Sequence, residues 1–252
     1  MLPPLYYRGE EGSGVPVAIG ASFLCDCKSL VALDLPALVN VKSIGHCFLY
    51  GCSSLVEVDL SSLVNVTSIG GFFLSGCRSL VALDLSALVN VTSIANDFLR
   101  NCSCLVALDM SPLVNVTLVN GHGFLYGCSS LVKVNLPGQP LVNVKSIGNG
   151  FLYGCSSLVE VDLSSLVNVT SIDDSFLCGC SSLVALDLSA LVNVKSIGDH
   201  FLDGCSSLVA VDFSPLVNVT SIGTYFLHDC SRLVPVNVPL SWMKVPNASH
   251  LF

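Results

Sequence analysis

The chain has 252 residues, 52% hydrophobic and 11% charged, and its 10 basic and 18 acidic side chains leave a net charge of −8. Its mean hydropathy of +0.75 is that of a membrane protein. A spanning helix, however, needs about 20 consecutive apolar residues, and the longest run here is about as short as Cys104-Leu105-Val106-Ala107-Leu108. The acidic balance argues against nucleic acid as a partner, because that task needs a basic footprint.

Residues 1–15 begin Met1-Leu2-Pro3-Pro4-Leu5-Tyr6-Tyr7-Arg8, without a basic stretch followed by an apolar core. No secretory leader is expected, and the segment is assigned as an N-terminal cap. From residue 16 to 240 the chain repeats itself. Nine of its 13 cysteines stand at 27, 52, 77, 102, 128, 155, 180, 205 and 230, each followed three residues later by Leu. Residues 50–69 recur letter for letter as 153–172, the mark of recent duplication.

Within one unit, Leu55, Val58 and Leu60 alternate with polar or small residues, as a half-buried strand does. Leu63, Val66 and Ile69 continue the inward set at spacing three, through a turn and a second short extended piece. Phe73-Leu74 and Cys77 then close the coil through a turn eased by Gly70 and Gly76. No unit buries this face alone, so the units must stack. The pattern predicts a repeat solenoid of about nine coils of ~25 residues, on the order of 40 Å long at the usual strand spacing. A parallel β-sheet forms one face, with turns, second short strands or short helical turns on the other. Two coils are longer, with insertions near Asn120-Gly121-His122-Gly123 and Pro137-Gly138-Gln139-Pro140 expected to bulge at mid-array. Residues 241–252 form a C-terminal tail or cap in which Trp242, Met243, Val245, Leu251 and Phe252 cover the last coil only thinly.

The spacing Cys-x-x-Leu-x-x-Leu-x-Leu, then Val-x-x-Ile-Gly, then a hydrophobic pair ahead of the next Cys resembles the leucine-rich repeat of the Treponema pallidum (BspA-like) type. Phe48-Leu49 and Phe151-Leu152 stand where that family usually has Ala-Phe, implying a bulkier convex turn. The family's Pro after the first strand survives only at Pro36, Pro137 and Pro239. The resemblance implies a right-handed binding solenoid, in a family often displayed on cell surfaces as adhesins, and no catalytic machinery.

Position five of the first strand carries Asp34, Asp59, Asp84, Asp109, Asp162, Asp187 and Asp212, with Asn135 and Asn237 completing the file. Lying between inward residues, these side chains point to solvent. Three readings are open: a stripe that keeps an apolar solenoid soluble, an acidic track for a basic protein or peptide, or calcium bridging. Position two carries a Val file, including Val56, Val81 and Val106, which serves either strand stacking or recognition. Position three varies, with Glu57, Lys133 and Glu160 among alanines, and is the nearest thing to a specificity code. On the track reading, Asp84→Lys with Asp187→Lys abolishes partner binding and leaves stability unchanged.

A file of Asn residues from Asn40 to Asn218 suits a structural role in the turn. Five of them read Asn-Val-Thr; with Asn101 and Asn247 they make seven sequons, expected to be unused without a leader. The register cysteines follow core logic, and no Cys-x-x-Cys pair suggests zinc or redox chemistry. His46, His122, His200, His228 and His250 occupy different repeat positions and are expected not to cluster. No metal, cofactor or enzymatic role is expected. The thiol-rich composition and absent leader favour the cytoplasm, with the cell surface as the alternative. The leading expectation is a scaffold that binds a protein or peptide through the Val/Asp face. Its oligomeric state is open, and end-to-end association is compatible with the thin C-terminal cover.

Overall fold

The computed structural model describes residues 18–35, 38–116, 121–138, 141, 143–234 and 237–248. The proposed N-terminal cap, Asn120, Gln139, Pro140, His250, Leu251 and Phe252 lie outside the described residues. The described chain is a β-solenoid whose ladders are all parallel and in register. On the first face, Ala32–Asp34 pairs with Glu57–Asp59, Ala107–Asp109 with Lys133–Asn135, and Lys133–Asn135 with Glu160–Val161. Ala185–Leu186 pairs with Ala210–Val211. The second face holds two four-stranded sheets. One runs from Ala18–Ile19 through Ser43–Ile44 and Ser68–Ile69 to Ser93–Ile94. The other runs from Ser146–Ile147 through Ser171–Ile172 and Ser196–Ile197 to Ser221–Ile222. In each short strand Ile is buried and the residue before it, Ser in all but Ala18–Ile19, is more exposed. The only helix among the described residues is the 3-10 segment Leu240–Lys244, so second strands and turns, not helical turns, form the back of the coil.

The turn expected at Phe73-Leu74 forms the third side of the coil, with a backbone hand that the periodicity did not show. The turn alternates left-handed and right-handed residues: Phe72, Leu74 and Gly76 have φ of 61°, 52° and 79°, and neighbouring coils repeat the sequence of signs. A left-handed non-glycine residue is unfavourable by roughly 1–2 kcal/mol. Each one here turns its N–H along the solenoid axis into a bond between coils. Phe72 donates forward to Asn96, Leu74 back to Phe48, and Gly76 forward to Arg100, at 2.7–2.9 Å. A third ladder therefore runs beside the two sheets and offsets the local strain.

The core is built of files. Phe23, Phe48, Phe73, Phe98, Phe124, Phe151, Phe176, Phe201 and Phe226 form one stack, with ring centroids 5.2–5.8 Å apart and planes within 14° of parallel. Beside it, the buried register thiols donate S–H to the leucine carbonyl of the preceding coil. Cys52 reaches Leu24 at 3.0 Å, Cys102 reaches Leu74 at 3.2 Å and Cys205 reaches Leu177 at 3.2 Å. Burial pushes the thiols up, to about 11 for Cys52 and about 12 for Cys77 and Cys128. They therefore remain protonated donors at neutral pH. Both files run past the mid-array insertions unbroken: Phe124 stacks on Phe98 and Phe151, and Cys155 bonds Leu125. A cavity of about 20 Å³ lies at this level, lined by Met110, Val116, Leu136 and Leu141. Its apolar walls would not hold a water molecule.

An indole covers the last coil among the described residues. Trp242 is fully buried, packs against Phe213 and Phe226, and donates its indole N–H to Leu216 O at 3.1 Å. Leu240 and Met243 stay outside. Truncating a fully stacked ring leaves a cavity that the neighbouring coils cannot close. Phe98→Ala is expected to cost about 3–5 kcal/mol in urea unfolding, whereas Phe72→Ala, at a 39% exposed ring, is expected to shift the midpoint far less. Equal shifts would show that the stack is not what holds the coils together.

Candidate interaction surface

The seven Asp of the strand face are exposed, as their alternation with inward residues requires. Their carboxylates are also engaged in a way the spacing did not reveal. In Asp59, Asp84, Asp109, Asp162, Asp187 and Asp212, Oδ1 accepts the backbone N–H of the serine two residues on, at 2.8–2.9 Å. Each is an Asx turn that carries the chain round the corner after the strand. The three coils that depart from this pattern explain it. Asp34, Asn135 and Asn237 precede Pro36, Pro137 and Pro239 by two residues, and proline has no N–H to give. Where the bond is impossible, two of three coils have lost the charge. The serine hydroxyl and N–H hold the carboxyls of Asp59 and Asp162 below the ordinary range, and the Ser214 N–H does so for Asp212.

Two apolar files flank this acidic one. Val56, Val81 and Val106 are 44%, 49% and 46% exposed, and the file continues through Val132, Val159, Val184, Val209 and Val234. The second file, Val39, Val64, Val89, Val114, Val192 and Val217, lies beyond the Asx corner and escaped the sequence reading. The signal was present in Leu63-Val64-Asn65-Val66, where the inward spacing of three leaves Val64 outside. At position three, Glu57, Lys133 and Glu160 are exposed, and Lys133 Nζ lies 3.1 Å from Glu160 Oε1 on the adjacent strand. That exposed pair is worth little to stability, but it interrupts the acidic surface at mid-array.

The Asn file shares its turn with the second Val file, each Asn directly following a Val. Asn65, Asn90, Asn115, Asn193 and Asn218 each donate Nδ2 to the carbonyl of a Val in the preceding coil at 2.8–2.9 Å. The nitrogen that would carry a glycan at the Asn65, Asn90, Asn115 and Asn218 sequons is thus a rung of the solenoid. All 13 cysteines are free; Cys104 is exposed, and Cys25, Cys47 and Cys178 are partly so.

The expectation that the histidines stay apart is overturned at one end of the array. His200 Nδ1 lies 2.8 Å from Asp203 Oδ2, and His228 Nδ1 lies 3.1 Å from Asp203 Oδ1. The two rings hold different repeat positions, but the alternating turn sets residues i and i+3 side by side, and stacking adds the contact 25 residues on. His46 is structural, accepting the Gly71 N–H at Nδ1.

Residues 17–141 and 120–250 match the model of the BspA type leucine rich repeat region, in 6 copies. No curated protein matches the chain. Among solved structures, a leucine rich cell surface protein from Faecalibacterium prausnitzii is 18% identical, with a TM-score of 0.46 over 88% of this chain and 83% of that one. The leucine rich repeat protein of T. pallidum is 24% identical, with a TM-score of 0.46 over 78% and 73%. One from Bacteroides ovatus is 21% identical, with a TM-score of 0.36 over 89% and 77%.

The Asx bond revises the expected effect of reversing charge on this face. Asp59→Lys removes the acceptor and is expected to lower the thermal midpoint, whereas Asp59→Asn keeps it and should stay near the parent. Because the folded carboxyl is held low, the stability it adds is present above its unfolded pKa and lost as pH falls through the folded value. As the carboxyl protonates it keeps a neutral carbonyl acceptor, so in acid the parent should lose only the charge-dependent part of the gap and approach Asp59→Asn. A parent that stays above Asp59→Asn at low pH would mean that the difference does not come from the carboxylate charge.

Proposed function

The chain belongs to the BspA-type leucine-rich repeat family, whose solenoids serve in general as binding modules rather than enzymes, and we propose that it is a protein-recognition scaffold engaging a basic protein or peptide through its strand face. The observation that carries this reading is the acidic file flanked by two exposed Val ladders. An apolar surface this regular on both sides of fixed charge is the composition of an interface rather than of an inert exterior. Asx bonding supports the reading too. Six carboxylates are held in place before a partner arrives, so less side-chain freedom is lost on binding. The order of events follows from the charges: the acidic file steers a cationic segment to the face, and the Val ladders supply apolar contact once it has docked.

Neutralising the file without breaking its turns separates charge from structure. A variant with Asp59, Asp84, Asp109, Asp162, Asp187 and Asp212 all replaced by Asn is expected to bind a lysine-rich peptide at least tenfold more weakly at low salt, with its midpoint little changed. The control replaces Asp173, Asp174 and Asp199, away from the strand face, and is expected to lose far less. Unchanged affinity in the sixfold variant, or an equal loss in the control, would remove the strand face as the binding surface.

A further inference from the structure

The left-handed turn of the last coils carries an arrangement that the strand-face reading does not use. We propose that Asp203, His228 and Asp229 bind a divalent transition-metal ion of the zinc type, with His200 positioning the central carboxylate. His228 Nδ1 lies 3.1 Å from Asp203 Oδ1 and 3.5 Å from Asp229 Oδ2. One ligand atom from each of the three residues falls within 4.8 Å of the others. Tetrahedral bonds of 2.0–2.2 Å place neighbouring ligand atoms roughly 3.3–3.6 Å apart. One measured separation falls in that range and the other is about 0.2 Å short of it, so small side-chain adjustments would seat a metal between the imidazole and the carboxylates.

Three further features favour a metal over a chance ion pair. The Asp203 side chain is only 18% exposed and is held from both sides: His228 meets Oδ1, and His200 meets Oδ2 at 2.8 Å. A carboxylate oriented through its second oxygen is the usual outer support of a metal ligand. The His200 ring is itself fixed, stacked 4.7 Å from the Tyr225 ring and within 7° of parallel. Finally, Asp229 holds a left-handed φ of 54° at a place that six other coils give to glycine, and this directs a second carboxylate towards His228. One imidazole and two carboxylates suit zinc, nickel or copper. Calcium prefers six to eight oxygens, which these three residues do not supply. The remaining coordination positions open to water. None of the three residues lies in the Asp or Val files, so the site is independent of the strand-face reading.

The test must keep the exposed thiols from taking the metal. The full chain, alkylated with iodoacetamide while folded, is titrated with Zn²⁺ by calorimetry and with Co²⁺ by visible absorption. The expected result is one equivalent of Zn²⁺ and cobalt ligand-field bands without a thiolate-to-cobalt charge-transfer band. His228→Gln and Asp203→Asn should abolish the binding, and His200→Asn should weaken it by about tenfold. All three variants should keep the parent's circular dichroism. No heat or spectral change with the parent protein, binding that survives His228→Gln, or a thiolate band would each overturn the site.

Discussion

A single coil of this chain has neither a core nor a way to satisfy its own backbone, and both are supplied by the coil next to it at a fixed translation. The ring of Phe98 lies flat between Phe73 and Phe124, and the thiol of Cys102 reaches a carbonyl 28 residues back. Around these files the two sheets and the left-handed turn close three sides with hydrogen bonds that all run along the axis. An error in coil length would break the sheets, the turn ladder and the core files together. Phe124 and Cys155 accordingly keep their places in the files although their coils are longer.

Much of this was legible in the sequence because burial imposes periodicity. Leu55, Val58, Leu60, Leu63, Val66 and Ile69 are all buried, and the steps between cysteines gave the coil length. What stayed hidden depends on backbone hand and on contacts between coils. Nothing in Phe72-Phe73-Leu74 announces alternating signs of φ, so the side-by-side placement of residues three apart in that turn, and the meeting of His200 with His228 around Asp203, could not be read. The Asx bonds were closer to hand. Asp followed two residues later by Ser in six coils, and Asp or Asn followed by Pro in three, was a readable pattern. Trp242 packs against Phe213 and Phe226, and its burial rests on an indole bond to Leu216 that composition does not show.

The acidic file illustrates how one residue type can satisfy two demands. Its oxygen closes the corner after the strand, and its charge faces outward where a partner would arrive. Repetition of Asp across coils is therefore no measure of its importance to binding, since the turn alone would retain it wherever the next residue but one has an N–H to give. Binding must be sought in what the turn does not require: the charge itself, and the Val ladders on either side.

The letter-for-letter recurrence of residues 50–69 as 153–172 has a further consequence. Because each coil presents nearly the same upper and lower surface, a 25-residue segment removed between equivalent positions would rejoin ring to ring and thiol to carbonyl. Length is thus a nearly free variable in this architecture. The reach of the binding face could be lengthened or shortened one rung at a time, while the closure at Trp242 and the chemistry of each rung stay as they are.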